Sequence, residues 1–446
     1  MRRTALLTLS LVCFSNLLLA SEPNLDYQRT WPQWRGPLAT GVAPHANPPM
    51  EWSADKNIRW KITVPGQGHA TPVIWGEQIF ILTAIETAPA GGAASSGQNQ
   101  SADQRRGRGV STDKAHQFTI LSINRKDGQI LWRQTATQAL PHEGTHNDGS
   151  WASNSPITDG ELLFAYFGSR GVFCYDLKGN LKWQKDLGDM STRNGFGEGS
   201  SPALHGDKLV INWDHEGQSF IVALDKKTGK EIWKFDRDEP TSWSTPLVVN
   251  HNGAPQVIVN ATNRVRSYDL NTGKILWESS GMTVNAIPSP VHSAGMVFVM
   301  SGFRGSALQA IRLGDARGHI NDTPAIVWQH DRDTPYVPSP LLYDDHLYFL
   351  KVNTAILSNF SARTGKPNYE PQRLEGLNNI YSSPVGAADR VYITSRNGAT
   401  LVLKNGPQFE VLATNQLDDD FEASAAVVDQ ELYLRGRQTL YCIAEN

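Results

Sequence analysis

At 446 residues, with 39% hydrophobic and 19% charged positions, the chain is neither disordered throughout nor built from long charged helices. Its 38 glycines and 25 prolines suit many short strands joined by tight turns. Lys and Arg number 41 against 44 Asp and Glu, and the net charge of −3 is too even for binding nucleic acid through bulk electrostatics.

Residues 1–20 carry Arg2 and Arg3, then an apolar run from Ala5 to Ala20, and Ser21-Glu22-Pro23 follows. This is the layout of a cleaved signal peptide and predicts a periplasmic or secreted protein. The run is shorter than the roughly 20 apolar residues of a spanning helix, and no later stretch is apolar enough to span. Residues 21–57, with Trp31-Pro32-Gln33-Trp34-Arg35-Gly36-Pro37, read as an irregular leader packed on the outside. Ile58 to Val64 is a strand with no partner strands before it.

From there a dipeptide of Ser or Thr followed by Pro precedes short β-rich runs, at Thr71, Ser155, Ser201, Thr245, Ser289, Ser339 and Ser383, with Ser424-Ala425 as a degenerate eighth copy. The intervals are 84, 46, 44, 44, 50, 44 and 41 residues. A period near 44 with strand-like content marks propeller blades rather than a helical solenoid. The first interval is longer because residues 85–115, low in complexity and ending near Arg105-Arg106-Gly107-Arg108, interrupt the first unit. This insertion is expected to be a disordered loop between the second and third strands.

The unit starting at Ser201 shows the pattern best. Gly206-Asp207 and Thr228-Gly229 punctuate runs at Lys208 to Asn212, Ser219 to Leu224 and Glu231 to Trp233, giving four strands. Its closing signature, Ala223-Leu224-Asp225 through Thr228-Gly229 to Trp233, returns at Ser267 to Trp277 and at Ser122 to Trp132, with a shortened form ending at Trp183. On these residues, from about 58 to 446, the chain resembles the quinoprotein-like β-propellers, the PQQ-repeat family that contains pyrroloquinoline quinone (PQQ) dehydrogenases and BamB-like assembly factors. The resemblance implies an all-β fold in which the Trp plugs the junction between blades. Units five to seven depart from the signature, with Arg312 or Ser361 at the Asp position and Tyr369 or Phe409 near the Trp position, which puts docking in doubt there.

The eighth unit stops at Asn446 before a fourth strand. The expected fold is therefore an eight-bladed β-propeller over residues 58–446, with the N-terminal strand completing the last blade and removing its open edge. Cys174 and Cys442 fall at the position of Ala223, in units separated by the first, and read as small buried residues rather than a disulfide.

Loops between second and third strands share one face of a propeller with the loops linking successive blades. The first loop type carries Arg170, Arg264, Arg304, Lys351, Arg396 and Arg435, an expected anion-binding ring. Around it, His146, Trp151, Glu198, Asp214, His215, Trp243, Asn285 and Tyr381 are candidate channel-mouth residues. His142, His146 and Asp148 have metal-ligand chemistry, but their spacing is weak and no metal site is expected. The favoured reading is a monomeric binding or scaffold module for a protein, peptide or anionic glycan. The reading leans against an enzyme without deciding the point, and no cofactor is expected. The alternative is a PQQ-dependent oxidoreductase or polysaccharide-active enzyme. The resemblance implies adjacent cysteines and a calcium set for the first of these. The chain lacks adjacent cysteines, and Glu198, Asn285 and Asp214 are its only suggestive calcium ligands.

Overall fold

The computed structural model describes residues 25–87, 109–110 and 114–445. The signal-peptide stretch 1–20 and most of the insertion 85–115 lie outside the described residues.

Eight antiparallel blades of four strands make up the fold, one of them widened by a fifth short strand, Gly318–His319. Blade three runs outward from the channel as Ala203–His205, Lys208–Trp213, Ser219–Asp225 and Glu231–Arg237. Its two middle strands are buried almost throughout, whereas the outermost alternates between buried and exposed positions. This follows from a blade sandwiched between neighbours with one edge in water. First strands of adjacent blades lie in close contact at seven of the eight junctions, that of blade eight with blade one included. Ile58–Thr63 pairs antiparallel with Thr439–Ile443, bringing Trp60 opposite Cys442 and Ile62 opposite Leu440. The N-terminal strand thus supplies the outer strand of blade eight, as the unfinished last repeat implies.

Two sets of contacts hold the blades together. Toward the outside, each docking tryptophan donates its indole N–H to a carbonyl in the next blade: Trp60 to Arg125, Trp132 to Leu177, Trp183 to Lys226 and Trp233 to Leu270, at 2.8–3.0 Å. The ring then lies against a turn glycine. Gly229 has φ +68°, and a Cβ there would come within 2.6 Å of the Trp183 ring, so this glycine is required both for the turn and for the close approach. The Asp225 carboxylate holds the turn by accepting from the Thr228 amide and hydroxyl, at 2.8 and 2.7 Å. Blade five keeps the same contact despite its altered signature, because Trp328 donates to the Ala362 carbonyl at 3.0 Å and packs on Gly365. Trp277 of blade four differs and bonds Gln256 of its own blade at 3.0 Å. Between blades six and seven, Tyr369 and Phe409 meet edge to face at 5.8 Å.

Around the channel, the repeated Ser/Thr hydroxyls form a ladder. The amide of Thr71 donates to the Ser155 hydroxyl, Ser155 to Ser201, Ser201 to Thr245, Thr245 to Ser289, Ser289 to Ser339, Ser339 to Ser383 and Ser383 to Ser424, all at 2.9–3.0 Å. Seven of the eight junctions are bridged in this way by the residue type that defines the repeat. The following proline holds its predecessor extended, the conformation in which the hydroxyl reaches across.

The leader does not pack on the outside. Trp31 is fully buried and exchanges backbone hydrogen bonds with Ile74, on the innermost strand of blade one. Pro32 accepts from Thr158, and Gly41 and Ala43 pair with Gly386. The Arg35 guanidinium donates to the Pro384, Pro340 and Thr40 carbonyls at 2.9, 2.7 and 3.0 Å. The segment therefore crosses the channel and plugs it. Its lack of periodicity reflects contacts made to several different blades, and the unused carbonyls where innermost strands begin supply partners for a buried arginine that has no carboxylate.

Cys174 and Cys442 are free and buried, as expected, and burial pushes both thiols up to about 12.

Ser201→Ala strips the Ser155 amide of its acceptor and should destabilise the fold by about 1–3 kcal/mol in urea denaturation, while Ser201→Thr keeps most of that stability. A loss below about 0.5 kcal/mol, the scale of a neutral surface change, would contradict a structural role for the ladder.

Candidate functional site

The ladder residues line a cup of about 270 Å³ at the channel mouth, with Trp34 of the leader also lining it. Along extended chain, alternate side chains share a face, so the residue two positions before each ladder hydroxyl points the same way. His69, Tyr381 and Glu422 enter the cup by this rule. So do Trp243, Ile287 and Val337, and the two small residues Ser153 and Gly199. The linking loop after blade one adds His146 and Asp148, and that after blade two adds Phe196 and Glu198.

A charged network closes one wall. Arg396 donates to Asp148 at 2.9 Å and to Glu422 at 3.2 Å, and its guanidinium lies 4.9 Å from the Tyr381 ring centre. The Tyr381 hydroxyl donates to the other Asp148 oxygen at 3.0 Å. Burial alone would raise the Asp148 pKa, but Tyr381 and Arg396 outweigh it and hold the group below its ordinary value. Glu422 is raised, because burial outweighs the attraction of Arg396 and Arg437. The His69 imidazole is driven down to about 3, first by burial and then by the charges of Arg435, Arg437 and Arg396, so it is neutral at physiological pH.

On the opposite wall, the Glu198 carboxylate accepts from the Ser169 amide at 2.7 Å and from the Ser169 hydroxyl. Gly168 makes the space, since a Cβ there would sit 1.1 Å from Oε2 of Glu198. Burial, aided by the nearby Glu143 charge and opposed by the Ser169 bonds, raises Glu198 to about 7.

Of the expected mouth residues, His146, Glu198, Trp243 and Tyr381 come together in the cup. Trp151 lies behind it, packed on His116 with its indole bonded to the Glu143 carbonyl at 3.0 Å. Asn285 is buried beside Tyr336. Asp214 is committed to Arg237, at 2.7 and 3.0 Å in a fully buried pair, and also accepts from Ser242. His215 accepts the Ser191 amide at Nδ1 and donates to the Gln218 carbonyl through Nε2, so both ring nitrogens are engaged.

None of the six ring cations is among the residues lining the cup. Arg170 pairs with Asp189 at 2.7 Å, Arg264 with Asp238 at 3.1 Å and Lys351 with Asp333 at 2.8 Å. Arg396 spans Asp148 and Glu422, and Arg435 is buried and donates to the Ala70 carbonyl at 3.2 Å. Arg304 is exposed over its neighbour Phe303. Four of the six find carboxylates and Arg435 finds a backbone carbonyl, so most of the charge is matched locally rather than focused on the channel. His142 turns to Asp189 at 3.3 Å while His146 stays with Asp148, and among the described residues no three His, Cys, Asp or Glu side chains group as a metal site.

Among the cup residues that escape a reading based on loop type are His69 and Trp34. His69 was legible in the repeat itself, at the same offset from Thr71 that Trp243 holds from Thr245. Trp34 carried no such signal.

For PQQ with calcium the described residues fit poorly, because the cup carboxyl groups are already engaged, Asp148 and Glu422 by Arg396 and Glu198 by Ser169, and among the described residues no Lys or Arg lines the cup. The two cysteines lie in separate core clusters, and Asp214 is held by Arg237 away from Glu198's bonds to Ser169.

The family model described as outer membrane protein assembly factor BamB matches residues 50–194, 107–233 and 217–446. A BamB from Francisella salina is 30% identical over 100 residues, which are 22% of this chain and only 18% of that relative's length. Among solved structures, BamB from Moraxella catarrhalis is similar with a TM-score of 0.57 and 14% identity, covering 86% of this chain and 99% of its own. A quinohemoprotein alcohol dehydrogenase, ADHIIG from Pseudomonas putida HK5, is similar with a TM-score of 0.53 and 10% identity, covering 93% of this chain and 80% of its own. At these identities the likeness is one of fold.

Glu198 generates a pH prediction. Its folded value of about 7 exceeds the ordinary 4.5, so the folded chain holds a proton that the unfolded chain releases between those values. The associated stability is fully present below the lower value and is lost as pH rises through the upper one. Relative to Glu198→Gln, the parent protein should lose melting temperature as pH rises from about 5 to about 8. Parallel pH profiles of the two proteins would contradict the assignment.

Proposed function

The chain belongs to the family of the outer membrane protein assembly factor BamB, and from that premise we propose that it is a binding module whose ligand enters the cup at the channel mouth. The observation that carries this reading is the plugged channel. Trp34 and the rest of the leader turn a passage into a blind receptor walled by aromatic rings and hydroxyls. Binding sites of this kind are concave, largely preformed and furnished with a few placed polar groups.

The cup's rim consists of loops set by eight rigid blades, a suitable support for a partner larger than the cup. Protein, peptide and glycan partners all present groups small enough to enter. An anionic ligand is the least favoured of the classes considered, since four of the six cations that would attract it are paired with carboxylates and a fifth, Arg435, is buried on a backbone carbonyl. The oxidoreductase alternative is disfavoured by the misfit of the cup's donor set to PQQ. Export to the periplasm or beyond rests on residues 1–20 and agrees with a binding role at a cell surface.

A thermal-shift screen of small glycans, peptides and PQQ with calcium tests the reading. Ligands that stabilise the parent protein should lose most of that effect with Trp243→Ala, whose ring lines the cup. Hits indifferent to that change, or dye reduction with alcohols after loading with PQQ and calcium, would overturn the proposal.

A further inference from the structure

We propose that the cup's ligand is a neutral saccharide unit. This rests on the reading of the cup as the ligand site and names the chemistry that the site accepts.

Charge comes first. The carboxylates of Asp148 and Glu422 already share Arg396, and Glu198 is held by the Ser169 amide and hydroxyl. His69 is neutral because burial and three guanidinium groups keep it so. Among the described residues, no Lys or Arg lines the cup. A cationic ligand would have to compete with Arg396 for its carboxylates, and an anionic one would meet three carboxyl groups with no cation among the described lining residues.

Hydrogen-bonding capacity comes second. Nε2 of His69 lies 4.0 Å from Oε2 of Glu422, and among the described residues neither atom has a hydrogen-bond partner. The gap is too long for a direct bond. One hydroxyl oxygen placed at about 2.8 Å from each would fill it, accepting from the imidazole and donating to the carboxylate. At the base, seven of the eight ladder hydroxyls use an acceptor site for a neighbour's amide and retain their own O–H as a donor. The cup therefore offers both donors and acceptors without net demand for charge.

Shape comes third. Trp34, Phe196, Trp243, Tyr336 and Tyr381 supply aromatic surface around these groups. Amphipathic rings of this kind suit a ligand whose faces are C–H and whose edges are hydroxyl, which describes a pyranose. A cavity of about 270 Å³ has room for such a ring but not for a folded element.

The test uses the full chain and calorimetric titration with cellotriose, maltotriose and chitotriose, alongside Gly-Lys-Gly, Gly-Glu-Gly and a sulfated oligosaccharide. At least one neutral sugar should bind with an affinity that is unchanged between low and high salt. His69→Ala and Glu422→Gln should each weaken it roughly tenfold or more, and His69→Gln, which restores an N–H donor, should recover part of the loss. Circular dichroism melts of the variants establish that they fold, and Arg304→Gln on the exposed rim serves as the unaffected control. Failure of all three neutral sugars overturns the saccharide inference, as does sugar binding indifferent to His69 and Glu422. If a tripeptide or the sulfated sugar binds instead and is weakened by the same substitutions, the saccharide inference falls and the binding module stands. Binding by none of the six probes sinks the saccharide inference, whereas ligands bound without regard to Trp243 remove the cup as a site altogether.

Discussion

The structure depends on a hydroxyl accepting an amide from the neighbouring blade. Innermost strands of a propeller are two to five residues long here and diverge from their neighbours, so they cannot form a continuous backbone ladder. Each would leave a buried N–H without a partner at the channel, a cost the fold must avoid. A Ser or Thr before proline solves this locally. Because the same hydroxyl recurs once per blade, the solution also sets the spacing of the ring.

That constraint fixes the cup as well. A chain held extended through the ladder presents the preceding alternate residue inward, so one backbone device decides which eight side chains face the channel. Farther out, tryptophan on turn glycine fixes five of the eight blade junctions by apolar packing plus one indole hydrogen bond, and the two sets of contacts leave the rim little freedom to shift. A site carried on such a frame is preorganised, and its specificity lies in the side chains at a single offset of the repeat. The leader completes it from below. Among the described residues Arg35 has no carboxylate partner, and burial lowers it to about 9; three backbone carbonyls hold it in place.

The blade count, ring closure and burial of the cysteines were legible because each follows from a local pattern repeated along the chain. The docking of Trp328 was not, since the signature emphasised an Asp, while the structure relies on the carbonyl of Ala362 and the positive φ of Gly365. Position on a loop also failed as a guide to the site. Arg237 and Asp214 lie 23 residues apart and pair in the interior, so a loop carboxylate that seemed available was already neutralised. The leader's path was hidden for a different reason: Trp31 and Arg35 are buried by contact with several blades at once, and no periodicity in a segment of that kind reports its direction. What the sequence did contain, unread by loop type, was the offset that places His69 beside Glu422.

Hydrogen exchange at the ladder amides tests the account most directly. Peptides carrying the amides of Thr71, Ser155, Ser201, Thr245, Ser289, Ser339 and Ser383 should exchange only through global unfolding, with protection equal to that of the buried middle strands. Exchange at the rate of open loops would show that the hydroxyls do not hold the ring, and the cup built on their register would lose its frame.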